Sequence, residues 1–381
     1  MKVLYFTNIP VPYRMDFFNE LGELCNLTVL METETANKLN SEWMKDHSVK
    51  TFKYVVLPQI GNESKTRINY GYSEIIKNGN FDVIVVGTYY SLSAMLFITY
   101  LKLHKISFIL NSDGGFIKRD NIFMKKLKTT LISSAKMYIS TGNGTSKYLE
   151  NYGADSKEIY TIPFTSLRSA DLIAKVPVIE EKYKIRESLS VPERKMIVFV
   201  GQFIHRKGVD VLLEALANCD KEMGVYIIGG EPTEKYKMLA DASGNRNIHF
   251  ISFLKKDILL KYYQAADLFV LPTREDIWGL VINEAMGMGL PVISTERCLA
   301  ALELVENEMN GWVVPVDNAQ ELAKAIEKAY EDKDKLHLMQ IRALETIKKY
   351  TIENMARRHI EIFEIFKGKY NEKYSGNHME I

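Results

Sequence analysis

Short apolar runs alternate along this chain with stretches whose apolar side chains recur every three or four residues. The first run is Lys-Val-Leu-Tyr-Phe-Thr at positions 2–7, and others follow at 27–30, 52–57, 83–86, 107–110, 137–140 and 159–162. A second series opens with Lys-Met-Ile-Val-Phe-Val-Gly at 195–201 and continues at 225–228, 247–253, 268–271, 292–294 and 312–315. Runs of this kind read as buried strands, and the periodic stretches between them as helices, notably 15–24, 209–217, 257–266, 280–288, 319–330 and 352–366. The alternation predicts two α/β units with doubly wound, mostly parallel sheets. Pro10 and Pro12 predict an extended loop ahead of the first helix. The stretch 164–178, with Pro163 and Pro177 near its ends and little periodicity, reads as the linker between units. No short-period repeat or low-complexity segment interrupts the pattern.

At 381 residues the chain is long enough for two domains, and its 46% apolar and 25% charged content is that of a globular protein. A net charge of +1 gives no global attraction to nucleic acid, so any electrostatic recognition is local. Cys25, Cys219 and Cys298 are too far apart for a metal-ligand pattern or disulfide framework and suit a reducing compartment. Residues 1–20 run straight into a strand and do not read as a signal peptide. The uncharged stretch 83–101 is long enough to raise the question of a membrane span. Its interruption by Gly87, Thr88, Tyr89, Tyr90, Ser91 and Ser93 predicts instead a strand, a turn and a core helix capped by Ser91. No Gly-x-Gly-x-x-Gly follows the first strand, which argues against a dinucleotide-dependent oxidoreductase.

The chemistry concentrates in AADLFVLPTREDIWGLVINEAMGMGLPVIST, residues 265–295. A strand closed by Pro272 leads into the acidic loop 273–279, and a helix from Leu280 would aim its free N–H groups back at that loop, as anion sites do. Upstream, Gly201 and Gly208 bracket a loop carrying Arg206 and Lys207 ahead of a helix, a cradle suited to a diphosphate. His205 sits among these cations, a poor place for a general base. The segment resembles the donor-binding signature of retaining glycosyltransferase family 4. That signature has two acids separated by seven residues and then an Ala-Met/Ala-x-Gly-x-Pro-Val-Ile run. Glu284 matches the second acid. Asp276 has the right spacing for the first, while Glu275 fits only if the loop carries one extra residue, and the spacing leaves both open.

The resemblance implies the GT-B architecture, two Rossmann-like doubly wound domains facing across a cleft: an acceptor domain over 1–167, a donor domain over 168–351, and a terminal stretch, 352–381, returning to the first domain. It further implies that the first acid faces the transferred sugar and that Glu284 binds the ribose. Arg206 and Lys207, with Gly201 and Gln202, would hold the diphosphate, Gln202 standing where an arginine is frequent. Phe253 and Leu254 would hold the base through backbone groups, and Ile277, Trp278, Gly279, Leu280 and Val281 would line the donor. In the first domain Pro12, Tyr13 and Arg14 fall on the loop that contacts the acceptor or sugar. Asp113, in Asn-Ser-Asp-Gly-Gly-Phe, stands where many members place a histidine; His104 lies before the strand instead. The basic, apolar stretch 117–136 reads first as a solvated face over a core stripe, with contact to an anionic membrane as the alternative. The activity implied is transfer of a sugar from a nucleotide-diphosphate sugar, with UDP the expected nucleotide, to a glycan or lipid-linked acceptor in bacterial surface polysaccharide synthesis. It would proceed with no metal and no cofactor, in the cytoplasm or peripherally on the inner membrane face, and with no nucleic-acid partner. A nucleotide-sugar epimerase of the same fold and a non-catalytic sugar-nucleotide or glycan-binding subunit are the alternatives.

Overall fold

A computed structural model describes residues 1–33, 49–61 and 67–370. The chain divides into two compact units: unit one is Met1–Ser166 with Thr351–Ile381, and unit two is Leu167–Tyr350. The last eleven residues of the terminal stretch, 371–381, lie outside the described residues.

Unit one contains β1 (Lys2–Thr7), β2 (Asn26–Met31), β3 (Lys53–Val56), β4 (Gln59–Ile60), β5 (Ile68–Asn69), β6 (Val83–Val86), β7 (Ile109–Ser112), β8 (Met137–Ser140) and β9 (Ile159–Thr161). Seven of these form a parallel sheet in the order β3-β2-β1-β6-β7-β8-β9, and β4 pairs antiparallel with β5. Unit two contains β10 (Met196–Val200), β11 (Gly224–Ile228), β12 (Ile248–Ile251), β13 (Leu268–Leu271), β14 (Val292–Thr295) and β15 (Gly311–Val314), all parallel, in the order β12-β11-β10-β13-β14-β15. Both sheets are therefore doubly wound and Rossmann-like. The central strands are apolar on both faces because helices cover both sides; every residue of β6, β10, β11, β13 and β14 is buried. In each sheet the strand order reverses once, between β1 and β6 and between β10 and β13. Such a reversal at the carboxyl edge is where doubly wound sheets place their ligand sites.

Several expectations need correction. The first helix begins at Pro12, not after an extended loop: Pro12 occupies its first turn, where a missing N–H costs nothing and the fixed φ suits the helix. The helices Ile179–Ser188 and Lys333–Ile347 were not predicted. In the first of these the inward face carries charge, so it lacks an apolar stripe. Lys182 and Arg186 are buried and converge on Asp267, at 3.4 and 2.9 Å, while Asp267 Oδ2 accepts the Met196 N–H at 2.9 Å. The uncharged stretch 83–101 forms β6 and the core helix Leu92–Leu103, whose cap Ser91 accepts the Ala94 N–H at 3.0 Å. Among the described residues no helix is long and apolar enough to cross a membrane.

In unit one the terminal helix Ile352–Tyr370 packs on the helix Pro12–Leu24, with the His359 ring 4.6 Å from that of Phe17. His359 is buried. Its Nδ1–H donates to the Met355 carbonyl at 2.8 Å, and its Nε2 faces the Asn111 side chain at 3.3 Å. Burial holds its pKa down at about 4, against opposing contributions from the Met355 hydrogen bond and the Asp113 charge. The folded unit thus keeps this imidazole neutral while the unfolded chain protonates it near 6.5. Stability from this group is complete above pH 6.5 and is lost as pH falls toward 4, with a full range of about 3 kcal/mol. Denaturant melts of His359→Gln between pH 7 and 4 are expected to show a shallower loss of stability than those of the parent chain.

Candidate functional site

The loops that follow β10 and β13 bring together Arg206, Lys207, Arg274, Glu275 and Asp276. After β10 the chain runs through Gly201, Gln202 and a single 3₁₀ turn at His205–Lys207 to Gly208, which opens the helix Val209–Ala215. Gly208 has φ +72°, and a Cβ there would sit 2.0 Å from the Pro272 carbonyl oxygen at the end of β13. Only glycine allows the two loops to approach this closely. Hydrogen bonds then join them. The Arg274 N–H donates to the Arg206 carbonyl at 2.7 Å and the Thr273 hydroxyl to the same oxygen at 2.8 Å, while Arg206 Nη1 donates to the Glu275 carbonyl at 2.7 Å. Arg274 Nη1 donates to the His205 carbonyl at 2.6 Å, and the guanidinium grips Asp210 at 2.9 and 3.1 Å. Burial alone would raise the Asp210 pKa, but Arg274, with Lys235 nearby, brings it below the usual carboxylate range.

This arrangement brings Lys207 Nζ to 2.5 Å from Asp276 Oδ2, with Arg206 3.8 Å from the other carboxylate oxygen. Glu275 turns elsewhere and pairs with Arg297 at 2.7 Å. The two acids that spacing could not separate therefore differ: Asp276 is buried against the cations of the glycine loop, and Glu275 is held from the β14 side. The Asp276 N–H donates to the Arg297 carbonyl at 2.8 Å, which fixes the backbone between the two acids. Gly279 follows with φ +102°, its α-carbon packed so that a Cβ would lie 2.7 Å from Cys298 Sγ. Cys298 is fully enclosed, donates to the Trp278 carbonyl at 3.0 Å, and has its thiol pKa pushed up to about 12 by burial.

Gly279 opens the helix Leu280–Gly287 toward this loop, and Glu284 lies in its second turn, 3.3 Å from the hydroxyl of the buried Tyr263. The Trp278 indole is buried and donates to Asn283 Oδ1 at 2.9 Å, so its ring packs inside unit two, and its carbonyl also accepts the Ala300 N–H at 2.9 Å. Ile277 is exposed, while Leu280 and Val281 are half-buried. Phe253 is exposed and Leu254 half-buried just after β12, while Gln202 and His205 are exposed and Gly201 half-buried after β10.

The first-half candidates gather separately in unit one. Asp113, after β7, is bonded by Arg14 and by the Tyr13 hydroxyl at 3.2 Å, and accepts from Asn111 Nδ2 at 3.3 Å. Arg14 is buried and also donates to Thr7; Pro12 and Tyr13 are half-buried. Burial raises the Tyr13 pKa well above its ordinary value. Asp113, Arg14, Asn111 and His359 line a small cavity of about 20 Å³, room for one water. His104 ends its helix at the surface. No group of three His, Cys, Asp or Glu side chains suited to a metal is gathered among the described residues. Sequence reasoning missed Arg274, Asp210, Arg297, Tyr263 and His359. Arg274 stood inside the motif itself, and its cationic type beside two acids was the available signal.

Residues 181–346 match the family model described as glycosyl transferases group 1. That match takes in Arg206, Lys207, Asp276 and Glu284 together. Among curated relatives, the chain is 24% identical over 201 residues to the lipopolysaccharide glucosyltransferase WaaG of Escherichia coli (strain K12), covering 51% of this chain and 53% of that protein. It is 30% identical over 164 residues to the amylovoran biosynthesis glycosyltransferase AmsK of Erwinia amylovora, covering 40% of each. The chain spans about half the length of the curated relatives it matches. Among solved structures, a glycosyltransferase from Rickettsia africae aligns with TM-score 0.75 at 19% identity, over 96% of this chain and 98% of that one. Anabaena HepE in complex with UDP aligns with TM-score 0.77 at 16% identity, over 96% of this chain and all of that one. Likeness at this identity speaks for the fold, the GT-B architecture of two Rossmann-like domains.

Gly208→Ala is expected to cost at least about 1–3 kcal/mol, because the left-handed backbone and the Pro272 carbonyl both oppose a Cβ. A lowered thermal midpoint, with wild-type behaviour in a control such as the exposed Gln202→Ala, is the check.

Proposed function

We propose that this protein is a retaining glycosyltransferase that moves a sugar from a UDP-sugar to a glycan or lipid-linked saccharide acceptor in bacterial surface polysaccharide synthesis. One observation carries the reading: the Arg206–Lys207 loop, Asp276 and the start of the Glu284 helix converge at the switch point of one parallel sheet. That is where a doubly wound sheet binds nucleotides. The family match over 181–346 and the solved UDP complex of HepE support the nucleotide-sugar donor, and the names of WaaG and AmsK support the polysaccharide setting.

In this reading the donor diphosphate lies between Lys207, Arg206 and the helix N-terminus at Leu280, which together neutralise the leaving group without a metal. Lys207 exchanges the Asp276 carboxylate for phosphate oxygens as the donor enters, and Asp276 turns to the hydroxyls of the transferred sugar. Asp276, not Glu275, takes this role, because Glu275 is already committed to Arg297. Glu284, steadied by Tyr263, holds the ribose; Phe253 and Leu254 offer backbone groups to the base. The acceptor hydroxyl attacks C1 as the C1–O bond to the diphosphate breaks, and its proton passes to the departing phosphate oxygen on the same face.

Asp113 is engaged by Arg14, Tyr13 and Asn111, which weighs against the epimerase reading, where a free acid in this unit would face the sugar. The protein would work in the cytoplasm, with its acceptor presented at the inner membrane face. A non-catalytic binding subunit would bind nucleotide but release no diphosphate on incubation with donor and acceptor.

Thermal shift without added metal is expected to give stabilisation by UDP of about 2.7 kcal/mol at a hundredfold excess over Kd. The shift should vanish in Lys207→Ala and Glu284→Ala. No shift with UDP, GDP or ADP would defeat the transferase reading. In turnover assays Asp276→Asn should lower kcat on the order of a hundredfold, and Glu275→Gln much less.

A further inference from the structure

Arg274 lies just ahead of the two site acids, where a third cation for an anionic ligand would be sought. Its guanidinium is already committed. Nε pairs with Asp317 at 2.6 Å, Nη1 donates to the His205 carbonyl at 2.6 Å and to Asp210 Oδ1 at 2.9 Å, and Nη2 donates to Asp210 Oδ2 at 3.1 Å. The side chain is only 18% exposed, and Asp210 is buried. All three nitrogens thus have acceptors within unit two. Two carboxylates more than balance the single positive charge, so Arg274 offers a phosphate neither surplus charge nor an open fork.

The bonds fall on both sides of Lys207. Ahead of it, Arg274 holds the carbonyls of His205 and Arg206, the second through its own backbone N–H at 2.7 Å. Beyond it, Arg274 holds Asp210 in the first turn of the helix Val209–Ala215. Asp317 supplies a third support. It lies between β15 and the helix Ala319–Tyr330, with φ +55°, a left-handed conformation that Asp tolerates better than most residues. The segment so held, His205–Lys207, is a single 3₁₀ turn, whose own hydrogen bonding is too poor to fix it.

We propose that Arg274 is a positioning residue: braced by Asp210 and Asp317, it sets Lys207 in place for the donor diphosphate and does not touch the donor itself. The proposal rests on the donor reading given above and names the residue that makes the lysine's loop rigid. Such a role carries weight because a displacement of about 1 Å in a reacting site can cost on the order of a hundredfold. It also assigns Asp317, from the far strand of the sheet, a part in donor binding that no contact with the donor would reveal.

The test is calorimetric titration of the full chain with UDP and with uridine, well below the melting temperature. Arg274→Lys keeps the charge but cannot span both carboxylates and the His205 carbonyl. It should weaken UDP binding on the order of tenfold to a hundredfold. Asp317→Asn, at an exposed position that leaves the core untouched, should weaken it by about threefold, the range of a partly exposed ion pair. Uridine carries no phosphate and should bind the parent chain and both variants alike. A merely structural role would lower both ligands together. Acetylation by acetic anhydride, mapped by mass spectrometry, reads the lysine without any donor. Lys207 should react faster in Arg274→Lys, while Lys182, buried against Asp267 in the same unit, stays protected.

Parent-like UDP affinity in Arg274→Lys, or a proportionate loss for uridine, would overturn the proposal, as would unchanged labelling of Lys207. Tighter UDP binding by Asp317→Asn would overturn it too, since Arg274 would then be a phosphate ligand that Asp317 restrains. A parent chain that binds no UDP removes the donor reading, while the labelling still decides whether Arg274 places Lys207.

Discussion

The close passage of Gly208 beneath the Pro272 carbonyl is the constraint on which the unit-two site depends. Two parallel strands adjacent in a sheet ordinarily send their following loops apart at a switch point. Here the missing Cβ lets the loops touch, and Arg274 then ties Arg206, His205 and Asp210 into one rigid arch. The consequence is electrostatic. Lys207 and Arg206 are held beside Asp276, and the helix Leu280–Gly287 starts four residues further along the same loop, so two cations and an acid are fixed close to a helix N-terminus.

Buried ionic groups serve two different ends in the two units. In unit two, Lys182 and Arg186 close on Asp267, which itself bonds the backbone at the start of β10; this anchors the first helix of the unit to the strand that carries the glycine loop. In unit one, Arg14 closes on Asp113, with Tyr13, Asn111 and Thr7 completing the bonds and His359 packed neutral at the edge of the set. Such a network is satisfied internally, and removing one member strands the others in a low-dielectric site. Asp113 thus ties the end of β7 to the first helix of unit one.

Most of the fold was legible because the strands are short and buried on both faces, which makes them continuous apolar runs. The acidic loop and the helix that follows it were legible because their residue types sit at fixed spacing along the chain. What escaped was charge turned inward. Helix Ile179–Ser188 hides Lys182 and Arg186 where an apolar stripe was sought, and Arg274, inside the acidic loop, spans two loops by bonding His205 and Asp210. The first helix began early for a local reason: proline suits a first turn as well as it breaks a later one.

The sequence by itself determined two α/β units and the strand, acidic loop and helix of 268–288, because periodicity and spacing are properties of neighbours along the chain. Only the tertiary structure showed that Asp276 pairs with Lys207 and Glu275 with Arg297, since those cations are brought in from other strands of the same sheet. It also decided that the apolar stripe of Ile122–Ile132 runs past the core. Composition fixes which faces are apolar, but whether such a face finds cover depends on how far the packed body beneath it extends.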